Sequence, residues 1–172
     1  MPSDHAEVQV RPGFEGDLEA LTAIYNHYVR ETAITFDTAS FTPEERRPWL
    51  LSHPEDGPHR LMVATDQESQ RILGYATSSP YRPKPAYVTS VETSVYVAPD
   101  AGRRGIGTLL YGALFRALAG EDVHRAYAGI AQPNEASTRL HERFGFRYVG
   151  TYGEVGRKFG SYWDVAWYEK RM

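Results

Sequence analysis

The 172-residue sequence has no cysteine. That excludes disulfides, thiolate metal sites and a thiol nucleophile, and it is the composition expected of a cytoplasmic protein. Acidic charge is in small excess, with a formal net of −3, so no basic field argues for nucleic acid as a partner. No apolar run approaches membrane-spanning length, and MPSDHAEVQV at the start lacks the apolar core of a signal peptide; no membrane partner is expected. The histidines, at positions 5, 27, 53, 59, 124 and 141, contain no i,i+4 pair, so no metal is expected. Repeats, low-complexity tracts and long linkers are absent, and residues 1–172 are expected to form one domain. What is abundant is ordinary apolar content, 41%, and aromatic side chains, 13% with 12 tyrosines, enough to line a cleft with rings.

Periodicity orders the chain. Residues 7–11, EVQVR, alternate as a strand. A helix follows, with Asp17 as its expected cap and Leu18, Leu21, Tyr25 and Tyr28 at helical spacing. Thr42, Pro43 and Glu45 form the signature of a second helix start. RLMVAT and RILGYATSS are β runs joined by DQESQ, and the Pro-rich PYRPKPAY leads into the long strand candidate VTSVETSVYVAP. A helix with a wide apolar stripe is expected over 105–119, then the strand HRAYAGIAQ, the helix NEASTRLHERFG ended by Gly145, and two closing strands. The order β-α-α-β-β-β-α-β-α-β-β implies an α/β (α+β) fold. Its sheet is mixed and mostly antiparallel, flanked by helices, with one parallel crossover.

GRRGIG, residues 102–107, sets two glycines and two arginines at a helix mouth. A helix N-terminus exposes N–H groups and partial positive charge, and glycines let successive N–H groups turn toward one anion. The pattern outlines a pyrophosphate site. It is not a P-loop, since no Lys-Ser/Thr follows, and it lacks the third glycine of the dinucleotide fingerprint.

In its setting, VETSVYVAPDAGRRGIGTLLYGAL resembles the acetyl-CoA signature of the GNAT family of N-acetyltransferases, a strand followed by (Gln/Arg)-x-x-Gly-x-(Gly/Ala) and a helix. Gly105 and Gly107 match the small positions, while Gly102 stands where Gln or Arg is usual. AIYNHYVRETAITFDT, VETSVYV, NEASTRLHERFGF and GRKFGSYWDV together resemble the phosphinothricin and methionine sulfoximine acetyltransferase branch. The resemblance implies the GNAT fold with acetyl-CoA as cosubstrate, lying along the backbone of Val95, Tyr96 and Val97. It implies a pyrophosphate on Arg103, Arg104, Gly105, Ile106, Gly107 and Thr108, and a contact from Asn134. Acetyl would pass to the amine of a small amino-acid-like acceptor, detoxifying a compound of the herbicide phosphinothricin's kind, and the family often forms homodimers. Another amine acceptor, or a catalytically silent CoA-binding module, stays open at this point.

Amine acetylation needs a deprotonated nitrogen, a polarised thioester and a protonated leaving thiolate. Strand alternation puts Glu92, Ser94 and Tyr96 on one face and Val91, Val95 and Val97 on the other. A carboxylate within an otherwise apolar strand is costly unless solvated or partnered, and the resemblance makes Glu92 the base. His141 shares one face of its helix with Ser137 and Phe144; the resemblance puts it in the slot where other branches carry a tyrosine that protonates the thiolate, and implies that it is either that general acid or an aid in deprotonating the amine. The resemblance further implies an acceptor site bordered by Tyr28, Phe36, Arg82, Pro83, Lys84, Glu92, Thr93 and Ser94, with Arg82 suited to a carboxylate.

Overall fold

The computed structural model describes residues 7–102 and 104–172. Its elements follow the expected order: β1 (Val8–Pro12), α1 (Leu18–Glu31), α2 (Pro43–Leu51), β2 (Leu61–Asp66), β3 (Ile72–Pro80), β4 (Ser90–Val97), α3 (Ile106–Leu118), β5 (Arg125–Ala131), α4 (Glu135–Arg143), β6 (Arg147–Lys158) and β7 (Ser161–Arg171). They form a seven-stranded sheet in the order β1-β2-β3-β4-β5-β7-β6, antiparallel except for the β4–β5 pair.

Local chemistry explains most of the boundaries. Thr42 Oγ1 accepts from Glu45 N at 3.2 Å while Thr42 N donates to the Glu45 carboxylate at 2.8 Å, a reciprocal cap that starts α2. Asp17 departs from expectation. It does not cap α1 with its side chain; its carboxylate is held by Arg11 at 2.8 and 2.9 Å and accepts from Phe14 N at 3.0 Å, closing the 3-10 turn that leads into the helix. Asp66 Oδ1 accepts from the N–H groups of Glu68 and Ser69, which makes the β2–β3 turn. Gly145 has φ of +84°, a left-handed stop for α4 that favours glycine.

The apolar stripe of α3, with Ile106, Leu110, Leu114 and Leu118 at 2% exposure or less, packs on β2 and β3, and Leu21 of α1 is buried in the same cluster. At roughly 25 cal/mol per Å² these side chains dominate the favourable side of folding. A second cluster, Val91, Ala126, Ala128, Ile130, Phe146 and Tyr168, holds β5 and β7 beneath the end of α4.

Candidate active site

The sheet opens at its centre. β4 pairs with β5 only through Ser90–Glu92 and Arg125–Tyr127, although both strands continue. Beyond Glu92 they diverge. Ala98 N donates to Leu73 O at 2.8 Å, which fixes which backbone groups of β4 face β3. By alternation the N–H and C=O of Val95 and Val97 then face the opening. The Val97 carbonyl accordingly accepts from the hydroxyl of Tyr28 on α1.

A groove of about 440 Å³ runs along this opening. It is lined by Val95, Tyr96 and Val97, by Gly105, Gly107 and Thr108 at the start of α3, and by Asn134, Leu140 and Arg143 of the α4 region. Gly105 has φ of +67° and precedes the helix without a side-chain cap. Because the first backbone bond of α3 is Leu109 N to Gly105 O, the N–H groups before it face outward. A Cβ on Gly107 would stand 3.1 Å from Leu140 Cδ2, so glycine there also lets α4 close over α3. Asn134 accepts from Ser137 N at 3.2 Å as the α4 cap and still lines the groove.

Some expected cofactor residues sit differently. Arg104 Nη1 is 3.0 Å from Asp66 Oδ2, so part of its charge is committed to β2. Ile106 is a core side chain, and only its backbone belongs to the helix mouth. Arg103 lies outside the described residues. Arg143, which donates to Thr108 Oγ1 at 2.8 Å, is a further cation beside the groove. Its last-turn position on an amphipathic helix carried no distinguishing signal.

On the other face of β4, register places Tyr75 opposite Tyr96, Thr77 opposite Ser94 and Ser79 opposite Glu92, giving one continuous polar floor. Glu92 lies in a cavity of about 370 Å³ with Thr35, Phe36, Tyr96, Gly129 and Trp167. Burial raises its pKa above the usual carboxylate range, and the charge of Arg82 pulls part of the way back. Arg82 lies on the exposed loop before β4, stacked 4.4 Å over the Tyr81 ring and 5.9 Å from that of Trp167. Phe36 and Ser94 are on this side as expected. Tyr28 is not at Glu92; it lines the groove along Val95–Val97. Thr93 points away from the Glu92 floor, because its odd position turns it toward α3. Pro83 and Lys84 are exposed, with Lys84 preceding a 3-10 turn at Pro85–Tyr87.

His141 is buried at 3% exposure. Its Nδ1 is 2.7 Å from the Ser137 carbonyl, which can only accept, so in the neutral ring Nδ1 carries the proton. Nε2 is then the acceptor for the Tyr111 hydroxyl at 2.8 Å, and the same hydroxyl reaches Thr93 Oγ1 at 3.2 Å. Burial lowers the His141 pKa, with the Ser137 carbonyl opposing, and burial raises that of Tyr111. Both rings, with Thr93 and Ser94, line a small cavity of about 50 Å³ at the strand opening. Tyr111 was hidden in the sequence because it falls within the apolar stripe of α3.

Comparison with known proteins agrees with this architecture. The profile of the acetyltransferase (GNAT) family matches residues 21–146, and the chain belongs to that family. It is an acetyl-CoA-dependent N-acetyltransferase. It is 82% identical over 167 residues to a phosphinothricin N-acetyltransferase of Streptomyces coelicolor, covering 97% of this chain and 98% of that one. It is 32% identical to an L-methionine sulfoximine/L-methionine sulfone acetyltransferase of Pseudomonas aeruginosa, covering 95% and 94%. A crystal structure of a GNAT superfamily phosphinothricin acetyltransferase from Sinorhizobium meliloti in complex with AcCoA superposes with a TM-score of 0.88 at 28% identity, covering 96% and 88%. Among the described residues no helix is long and apolar enough to cross a membrane, and no group of histidine and carboxylate side chains is placed to hold a metal.

Proposed function

We propose that the chain acetylates the α-amine of a small amino-acid-like acceptor, phosphinothricin, methionine sulfoximine or a close analogue, and so detoxifies it in the cytoplasm. The observation that carries this reading is the strand opening after Glu92. It brings a backbone-lined groove and a half-buried carboxylate to the two faces of one strand, so that donor and acceptor meet near Tyr96. The names of the relatives support the acceptor class.

In this reading Val95 and Val97 hold the pantetheine arm by backbone hydrogen bonds, and the start of α3 with Thr108 and Asn134 receives the pyrophosphate end. Arg82 holds the acceptor's carboxylate, and Phe36 closes over its side chain. Glu92 takes the ammonium proton, directly or through water; burial raises its pKa, which makes its carboxylate a stronger base. The amine nitrogen bonds to the acetyl carbon, the carbon–sulfur bond breaks, and the departing thiolate takes the proton that the nitrogen sheds on becoming an amide, passed by way of the Tyr111 hydroxyl. Alignment of the two substrates supplies much of the acceleration.

The reading includes a homodimer. Tyr148, Val149, Tyr152, Val155 and Tyr162 of the β6–β7 hairpin are each more than half exposed, apolar surface spread over both sides of an edge hairpin of the kind subunit contacts cover. Sedimentation at micromolar concentration is expected to give twice the chain mass.

The deciding assay is thiol release from acetyl-CoA with phosphinothricin, methionine sulfoximine, methionine sulfone, the common amino acids and an N-terminal peptide. Turnover concentrated on the first three supports the acceptor class. Preference for the peptide or an ordinary amino acid overturns it.

A further inference from the structure

A second cavity, of about 290 Å³, lies beyond Ser94 on the same floor. Its wall carries Arg46 of α2, a cation at 7% exposure. The guanidinium is clamped between rings, with Cζ 4.2 Å from the Tyr25 centroid and 3.9 Å from that of Trp49. Stacking on the two rings leaves the in-plane N–H bonds of the group for other partners, and the Tyr75 hydroxyl is the polar group nearest to them that also lines the cavity. Among the described residues no carboxylate forms an ion pair with it, and its fully shielded Nη1 has no hydrogen-bond partner. The hydroxyl of Tyr75, beside the same charge and lining the same cavity, is also buried without a partner. The two nearby acids are committed elsewhere: Asp37 accepts from the Tyr25 hydroxyl, and Glu45 caps α2.

A buried guanidinium without an ion-pair partner in contact is costly, and cationic stacking offsets only part of that cost. Two unpartnered polar groups converging on one cavity describe a site for an oxyanion, which accepts the in-plane N–H bonds that stacking leaves open. The site is continuous with the catalytic floor. Thr77, Ser79 and Ser94 line it, Ser79 pairs with Glu92 across the two strands, and the two residues from Ser94 to Glu92 along β4 advance about 7 Å. An acceptor whose amine is at Glu92 therefore extends its side chain toward Arg46.

We infer that Arg46 and the Tyr75 hydroxyl form a subsite for an anionic group at the far end of the acceptor side chain, such as a phosphinate, and thereby set a preference for acidic over neutral acceptors. This rests on the small amino-acid acceptor proposed above.

The test compares phosphinothricin with methionine sulfone, whose side-chain end is uncharged, in the native enzyme and in Arg46→Gln. The ratio of kcat/KM for the two acceptors is expected to fall about tenfold or more in the variant, since a site built for charge discriminates strongly against its absence. A ratio unchanged within about twofold, as a purely structural Arg46 gives, overturns the inference, even if both activities fall. Should Arg46→Gln fail to fold, titration of the native enzyme with methylphosphinate and with dimethyl sulfone decides. Quenching of tryptophan fluorescence by methylphosphinate alone, through Trp49, supports the subsite; equal or absent responses overturn it. The same titration separates this inference from the activity reading, because it needs no turnover: if neither acceptor releases CoA, the acceptor class fails while the anion response still reports on Arg46.

Discussion

Tyr111→Phe isolates the bond that joins α3 to α4. The ring stays, with its contacts to His141, Phe115 and Phe146 at centroid distances of 5.1, 5.2 and 6.3 Å. Only the hydroxyl is lost. His141 Nε2, in a side chain at 3% exposure, is then left without a protein donor, and Thr93 Oγ1, also 3% exposed, loses the same partner. Leaving a buried polar atom unsatisfied costs about 1–3 kcal/mol. For a domain of this size each kcal/mol lowers Tm by roughly 2–4 °C, so the variant should melt about 2–12 °C below the native protein. Turnover should fall about 100-fold at unchanged acetyl-CoA KM, the low end of what one acid–base group contributes, because the hydroxyl lies on the relay to the thiolate and away from the groove's backbone contacts. Calorimetry and steady-state thiol release read the two effects separately. A loss of Tm with full turnover would refute the relay and leave the pair architectural; an unchanged Tm would refute the bonding argument itself.

Glu92→Gln should lower kcat about 100-fold or more without raising the KM for acetyl-CoA. It should also be no less stable at neutral pH: a carboxyl whose folded pKa is raised makes the native state bind more protons, so stability falls as pH rises from the unfolded value, about 4.3, through the folded one. In the native enzyme the acidic limb of kcat/KM should accordingly lie above the ordinary carboxylate range. Gly107→Val pushes methyl groups into Leu140, whose Cδ2 is 3.1 Å from the first added carbon, and should cost about 1–3 kcal/mol while raising the KM for acetyl-CoA. His53 and His141 are both buried with lowered pKa, so the unfolded chain binds more protons below about pH 6.5; Tm should fall as pH drops from there toward their folded values and be flat above it.

The sequence by itself determined what depends on neighbours within a turn or two. The Thr42–Glu45 cap, the left-handed glycine that opens α3, the stop at Gly145 and the alternation that puts Glu92, Ser94 and Tyr96 on one face are all local chemistry, and each is found where the spacing predicts it. Asp17 departs from its local signal because Arg11, on the preceding strand, holds its carboxylate. What only the tertiary structure decided are the contacts between distant segments. The divergence of β4 from β5 after Glu92 arises from pairing between strands over 30 residues apart in the chain. The Tyr111–His141 bond joins two helices across another strand, and its hydroxyl cannot be told from core in an apolar stripe. Arg46 reads as one charge in a polar helix; packing α2 against α1 and the β3–β4 floor buries it between two rings. Periodicity reports which way a side chain points. What it meets there is set by long-range packing, which carries no local pattern.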